Sequence, residues 1–168
     1  PDGKRIAFLS TTNPTLDDPK REKPKNEPGR VVTRPEFRMN DEGFIDRDHL
    51  KHVWVVEASG GQPRPLTRGR FAETSPRWSR DGRFVLFVSD RRAEPWFGVE
   101  DSNLYAVSPD LEAPTDGEAL RAVSEFRGLV VAYAEGPDGR VAMIGTLPPE
   151  EPRRIPEPGA PSAKTRAP

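Results

Sequence analysis

Three stretches of this chain repeat one pattern, and that repetition constrains the fold more than any other feature. Pro1-Asp2-Gly3-Lys4-Arg5 leads into Ile6-Ala7-Phe8-Leu9-Ser10-Thr11. Arg80-Asp81-Gly82-Arg83 leads into Phe84-Val85-Leu86-Phe87-Val88-Ser89-Asp90, and Pro137-Asp138-Gly139-Arg140 into Val141-Ala142-Met143-Ile144-Gly145-Thr146. Asp-Gly supplies the positive φ of a tight hairpin turn at little steric cost. The run after it is apolar at successive positions, as in a strand covered on both faces. Blades of a β-propeller, each flanked by two neighbours, provide that environment.

A second element follows each turn. His52-Val53-Trp54-Val55-Val56-Glu57, a turn at Ala58-Ser59-Gly60-Gly61 and the segment from Gln62 to Thr67 match Asn103-Leu104-Tyr105-Ala106-Val107-Ser108, a turn containing Asp116-Gly117 and the segment from Ala119 to Ser124. With Ser75-Pro76-Arg77-Trp78-Ser79 ahead of the second turn, one unit reads as Trp strand, apolar strand, aromatic strand and edge strand. Four antiparallel strands make a blade. The expected fold is therefore all-β: a partial β-propeller of about two and a half four-stranded antiparallel blades.

Asp2 and Asp81 are 79 residues apart, and Asp81 and Asp138 are 57 apart. Blades commonly recur every ~40–45 residues, so the excess must be loop. Residues 12–48 form a polar, Pro- and charge-rich insertion, and residues 91–101 a shorter one carrying Trp96 and Phe97. The partial propeller is expected over 1–146 and a disordered Pro-rich tail over 147–168, where Leu147 and Ile155 are almost the only large apolar residues. The start at Pro1 falls inside a turn motif and is expected to be a cut through it, with any true N-terminus upstream. A small β-sandwich with long loops is the competing architecture.

Composition narrows the function classes. Twenty prolines in 168 residues oppose long helices. A net charge of −1 gives no attraction for nucleic acid, and no apolar run approaches the ~18 residues of a membrane span. Without cysteine, neither a disulfide nor a thiolate can form, which fits a cytoplasmic chain.

Trp78-Ser79-Arg80-Asp81-Gly82-Arg83 with its apolar strand and Ser89-Asp90-Arg91 resembles the blade signature of propellers in prolyl-oligopeptidase-family serine peptidases, and equally that of TolB-like and WD-type propellers. The stretch from Arg30 to Arg34, then Phe37 to Asp46, then His52 to Val56, is similar to the acylaminoacyl-peptidase branch. The resemblance covers residues 1–146. It implies a two-domain parent whose propeller limits access to a C-terminal α/β-hydrolase domain, so that short peptides enter and folded proteins do not. The partners it implies are that hydrolase domain, absent from this chain, and short peptides. A TolB-like interaction scaffold is the alternative.

No catalytic residue or cofactor is expected here. The Gly-x-Ser-x-Gly nucleophile elbow is missing. His49 and His52 read as rim residues. Asp17, Asp18, Asp41, Glu42, Asp46 and Asp48 read as loop carboxylates, because their spacing does not fit a calcium loop. Lys20-Arg21-Glu22-Lys23-Pro24-Lys25, broken by acid and proline, reads as solvated loop. Glu57 is left unoriented by its strand. Trp96 and Phe97 are the candidate substrate-channel or rim residues, since exposed aromatic rings on a loop can line a binding site, and the favoured alternative is that the loop tucks them against the blade edge. Asp2, Gly3, Trp54, Trp78, Asp81, Gly82, Asp138 and Gly139 are expected to be structural.

Overall fold

The structure, a computed structural model, describes residues 2–20, 29, 31–33, 37–39, 43–94, 101–111, 120–125 and 127–147. The described residues contain strands and no helix. In chain order the strands are β1 (Arg5–Ser10), β2 (Arg38–Met39), β3 (Gly43–Phe44), β4 (His52–Glu57), β5 (Arg64–Pro65), β6 (Thr74–Trp78), β7 (Val85–Ser89), β8 (Asn103–Val107), β9 (Arg121–Ala122), β10 (Leu129–Glu135) and β11 (Val141–Thr146). All of their pairings are antiparallel.

The three Asp-Gly turns share one construction. Gly3, Gly82 and Gly139 take φ of 72°, 71° and 76°. In each turn the preceding aspartate accepts a hydrogen bond from the amide two residues on: Lys4 to Asp2 (3.1 Å), Arg83 to Asp81 (3.0 Å) and Arg140 to Asp138 (3.1 Å). The side chain thus imitates a backbone turn, and glycine carries the left-handed φ. Asp81 also accepts the Ser79 hydroxyl at 2.6 Å.

Each turn feeds a strand of a different sheet. One sheet has the order β1-β4-β5, a second is the four-stranded meander β6-β7-β8-β9, and a third is the hairpin β10-β11. The four-stranded sheet lies between the other two. Along β7, Val85 and Phe87 join Val53, Val55, Leu66 and Val107 in one cluster, against which Ala7, Leu9 and Trp78 pack. The intervening Leu86 and Val88 join Leu104, Ala106, Val130 and Tyr133 in another. The two-residue strand period sends alternate side chains to opposite faces, and both faces are covered. Every residue of β7 is accordingly buried, which accounts for its unbroken apolar sequence.

The outer sheets each leave part of their second face exposed. On β1, Ala7 and Leu9 turn inward, whereas Ile6 is 52% exposed. On the hairpin, Val130 and Tyr133 are buried while Val131, Met143 and Ile144 are exposed. Ionic contacts staple the first interface: the Arg5 guanidinium donates to Asp110 at 2.7 Å and lies 5.3 Å from the centre of the Trp78 ring. Arg64 donates to the carbonyls of Leu111 and Pro109.

The 12–48 insertion is not loop throughout. Within it β2 pairs with β3, and the ring of Phe44 in β3 lies 6.3 Å from that of Phe37, just ahead of β2.

Candidate functional site

Polar side chains gather in three places, each created by the way loops leave the sheets. The first lies beneath the loop between β5 and β6. Glu73 is fully buried. Its carboxylate contacts His52 Nδ1 at 2.9 Å, accepts the Thr67 hydroxyl at 2.8 Å and pairs with the Arg91 guanidinium. Thr67 Oγ1 in turn accepts the amide of Val53 at 2.9 Å. Arg91 is also held among aromatic rings, 5.3 Å from the centre of Phe71, 5.7 Å from Phe87 and 5.4 Å from Tyr105. A buried carboxylate needs partners of this kind to offset its lost hydration. Burial pushes the Tyr105 phenol above its usual range, against the opposing pull of Arg91.

The second place joins the two ends of the 12–48 insertion. His49 stands between two carboxylates, with Nε2 3.0 Å from Asp17 and Nδ1 2.8 Å from Asp46. Asn13 adds a bond from its side-chain amide to the carbonyl of Asp48 at 2.8 Å. The bond to Asp17, then that to Asp46, raises the imidazole pKa above its ordinary value. A related closure stands at the base of the 91–101 loop. Asp90 receives Nε of Arg92 at 2.9 Å and the amide of Asp101 at 3.3 Å. Burial works to raise the Asp90 carboxyl, but the bonds from Arg92 and Asp101 hold it below its usual range.

The third place is a cleft of about 220 Å³ between the first strands of the second and third sheets, walled by Arg77, Arg80, Tyr133 and Glu135 with Leu86 as floor. The Tyr133 hydroxyl shares its one proton between the carbonyls of Ser75 (2.7 Å) and Leu86 (3.0 Å), and burial pushes its pKa up to about 12. Glu135 accepts the backbone amide of Arg80 at 2.7 Å. A larger groove, about 480 Å³, crosses the open face of the first sheet beside Phe8, Trp54, Pro65 and Arg68.

The residues singled out from sequence fall into two groups. Asp2, Gly3, Asp81, Gly82, Asp138 and Gly139 form the turns already described. Trp54 is buried in β4 and Trp78 packs between the first two sheets. Trp96 and Phe97 lie outside the described residues, as do Asp41, Glu42 and residues 148–168. Glu57 is exposed at the end of β4.

His52 is not a rim residue. It is largely buried, because the β4 ladder carries it beneath the Glu73 loop. His49 does lie near the surface, but between two carboxylates instead of free in solvent. The bonds described for both histidines go to carboxylates, and none goes to a hydroxyl that could serve as a nucleophile. Glu73 itself was missed from sequence. Its one signal is a lone carboxylate directly before the Trp strand, where the chain is otherwise entering the packed layer.

No protein-family model matches the chain. A segment of 96 residues, 57% of the chain, is 29% identical to the uncharacterized peptidase YuxL of Bacillus subtilis (strain 168). The match spans 13% of that protein's length. It supports a relationship to peptidases. No helix of the described residues is long and apolar enough to cross a membrane.

Proposed function

We propose that residues 1–146 are part of the β-propeller of a serine peptidase of the prolyl-oligopeptidase type, acylaminoacyl-peptidase branch. On this reading the propeller admits short peptides to a hydrolase domain elsewhere in the parent chain and keeps folded proteins out. The observation that carries it is the stack of three antiparallel sheets, each of which receives a strand from the same Asp-Gly turn. A sheet with one wet face alternates apolar and polar residues, whereas β7 is buried at every position. Blades of a propeller are flanked on both sides, and the open faces at Ile6 and at Val131 and Ile144 are where further blades would fit. The similarity to a bacterial peptidase supports the enzymatic half.

The division of labour follows from the chemistry. A hydroxyl nucleophile needs an adjacent base and an oxyanion hole, and those belong to the hydrolase domain. This chain contributes a rigid wall and the loops at its edge. A cytoplasmic setting accords with its lack of cysteine. The parent gene provides the test: a Gly-x-Ser-x-Gly elbow encoded within a few hundred residues downstream is expected. An open reading frame that continues only as further sheet repeats would leave an interaction scaffold instead.

A further inference from the structure

The cleft between β6 and β10 is built with more care than a gap between two sheets requires. Ser75, on β6, has φ of 53°, and among the described residues it is the single non-glycine with positive φ. The register of β6 against β7 shifts between Thr74 and Arg77 at the same point. A left-handed serine costs on the order of 1 kcal/mol or more and persists where its surroundings over-determine it. Here the Tyr133 hydroxyl does so, by bonding the carbonyls of Ser75 and Leu86 together. Bulges of this kind re-aim side chains. Arg77, just past the bulge, comes to lie with its guanidinium 5.6 Å from the centre of the Tyr133 ring.

The electrostatics of the cleft are lopsided. Arg77 and Arg80 both line it, and neither guanidinium forms an ion pair with a carboxylate among the described residues. The one acid present, Glu135, accepts the backbone amide of Arg80. We propose that this cleft binds a carboxylate through Arg77 and Arg80, and that the carboxylate is the C-terminal group of a short peptide. A planar guanidinium matches a carboxylate in two-point geometry. The floor of Leu86 and the Tyr133 ring can take the apolar side chain that accompanies a terminal carboxylate. At about 220 Å³ the cleft is below the ~300–1,000 Å³ of a whole-ligand pocket, and it suits one terminal residue. Only the choice of a peptide as the carboxylate's carrier rests on the peptidase reading.

The test is an NMR titration of the ¹⁵N-labelled 168-residue chain with three probes: acetyl-Ala-Leu with a free carboxylate, the same peptide as its amide, and acetyl-Glu-Leu amide. The free acid should shift the amides of Arg80, Ala134 and Glu135, and both amidated peptides should leave them in place. Arg77→Gln and Arg80→Gln should each raise Kd about fivefold, while Arg83→Gln, one residue past the turn glycine, should not. Arg77→Lys keeps the charge but loses the fork, and should fall between wild type and Arg77→Gln. Equal shifts from the amide, wild-type affinity in the Arg77 and Arg80 variants, or no shift from the free acid would overturn the proposal. A response to acetyl-Glu-Leu amide alone would also overturn it, by making an acidic side chain the ligand. A parent gene without a hydrolase would sink the peptidase reading and leave this titration unaffected.

Discussion

His52 Nδ1 lies 2.9 Å from the carboxylate of a fully buried Glu73, so a strand of the first sheet is tied to the loop that opens the second. The same carboxylate holds the Arg91 guanidinium, which is itself 10% exposed. Breaking a buried pair leaves a charge with neither water nor partner, which costs far more than the pair contributes when intact.

Glu73→Ala should therefore destabilise the chain by about 3–5 kcal/mol, a large part of a domain's total stability. Urea unfolding followed by circular dichroism measures it. Thr67→Val removes a neutral hydroxyl that bonds both Glu73 and the Val53 amide and should cost less, about 1–3 kcal/mol. If Glu73→Ala cost no more than Thr67→Val, the ionic hub would be peripheral to stability.

The Asp17–His49–Asp46 clamp makes the insertion sensitive to pH. Both carboxylates raise the His49 pKa on folding, Asp17 first. A group whose pKa is raised in the folded state binds its proton more tightly there. Its stabilising contribution is complete below the unfolded value near 6.5 and is lost as pH rises through the higher folded value. An NMR titration of the imidazole should show a midpoint above 6.5. In Asp17→Asn the midpoint should fall back toward that value. A midpoint at or below it in the wild-type chain would contradict the clamp.

The turn geometry predicts graded effects of one substitution at two places. Alanine at Gly82 or Gly139 must adopt φ above 70°, at a cost of about 1–2 kcal/mol. Gly82 opens onto a strand buried on both faces, whereas β11 is mostly exposed. Gly82→Ala should lower the unfolding midpoint of the whole chain. Gly139→Ala should loosen the β10-β11 hairpin alone, seen as faster amide exchange there. Equal exchange throughout both variants would show that the three sheets do not differ in cooperativity.

How much of this was legible in sequence depended on the range of the interaction. Asp81 and Gly82 act on a turn of four residues, so two letters were enough to place it. The alternation of Val85 and Phe87 against Leu86 and Val88 was likewise written in one strand. The Glu73 hub draws on His52, Thr67 and Arg91, on three separate segments, and no local pattern marks residues that meet only after two sheets have packed. The bulge at Ser75 was hidden for a related reason. Ser75-Pro76 reads as an ordinary strand start, and its left-handed backbone is held by Tyr133, 58 residues away.

Tyr133 offers the last prediction. Tyr133→Phe keeps the ring in the core but deletes the hydroxyl bonded to Ser75 and Leu86. The buried Leu86 carbonyl and the part-buried Ser75 carbonyl then lose a shared donor, at a cost of about 1–2 kcal/mol. Wild-type chain should also resist alkali in a specific way. Burial raises the pKa of Tyr105 and pushes that of Tyr133 up to about 12. Each is thus protonated in the fold where the unfolded chain, with its ordinary value of 10.0, has begun to ionise. The stability they supply is complete below pH 10.0 and is lost as pH climbs through the folded values. The chain has two tyrosines, so phenolate absorbance reports on them alone. Its rise should lag the model-compound curve and coincide with the loss of the β signal in circular dichroism. A phenolate signal at pH 10 that persists in Tyr105→Phe while the chain is still fully folded would mean that the Tyr133 hydroxyl faces water and does not hold the bulge.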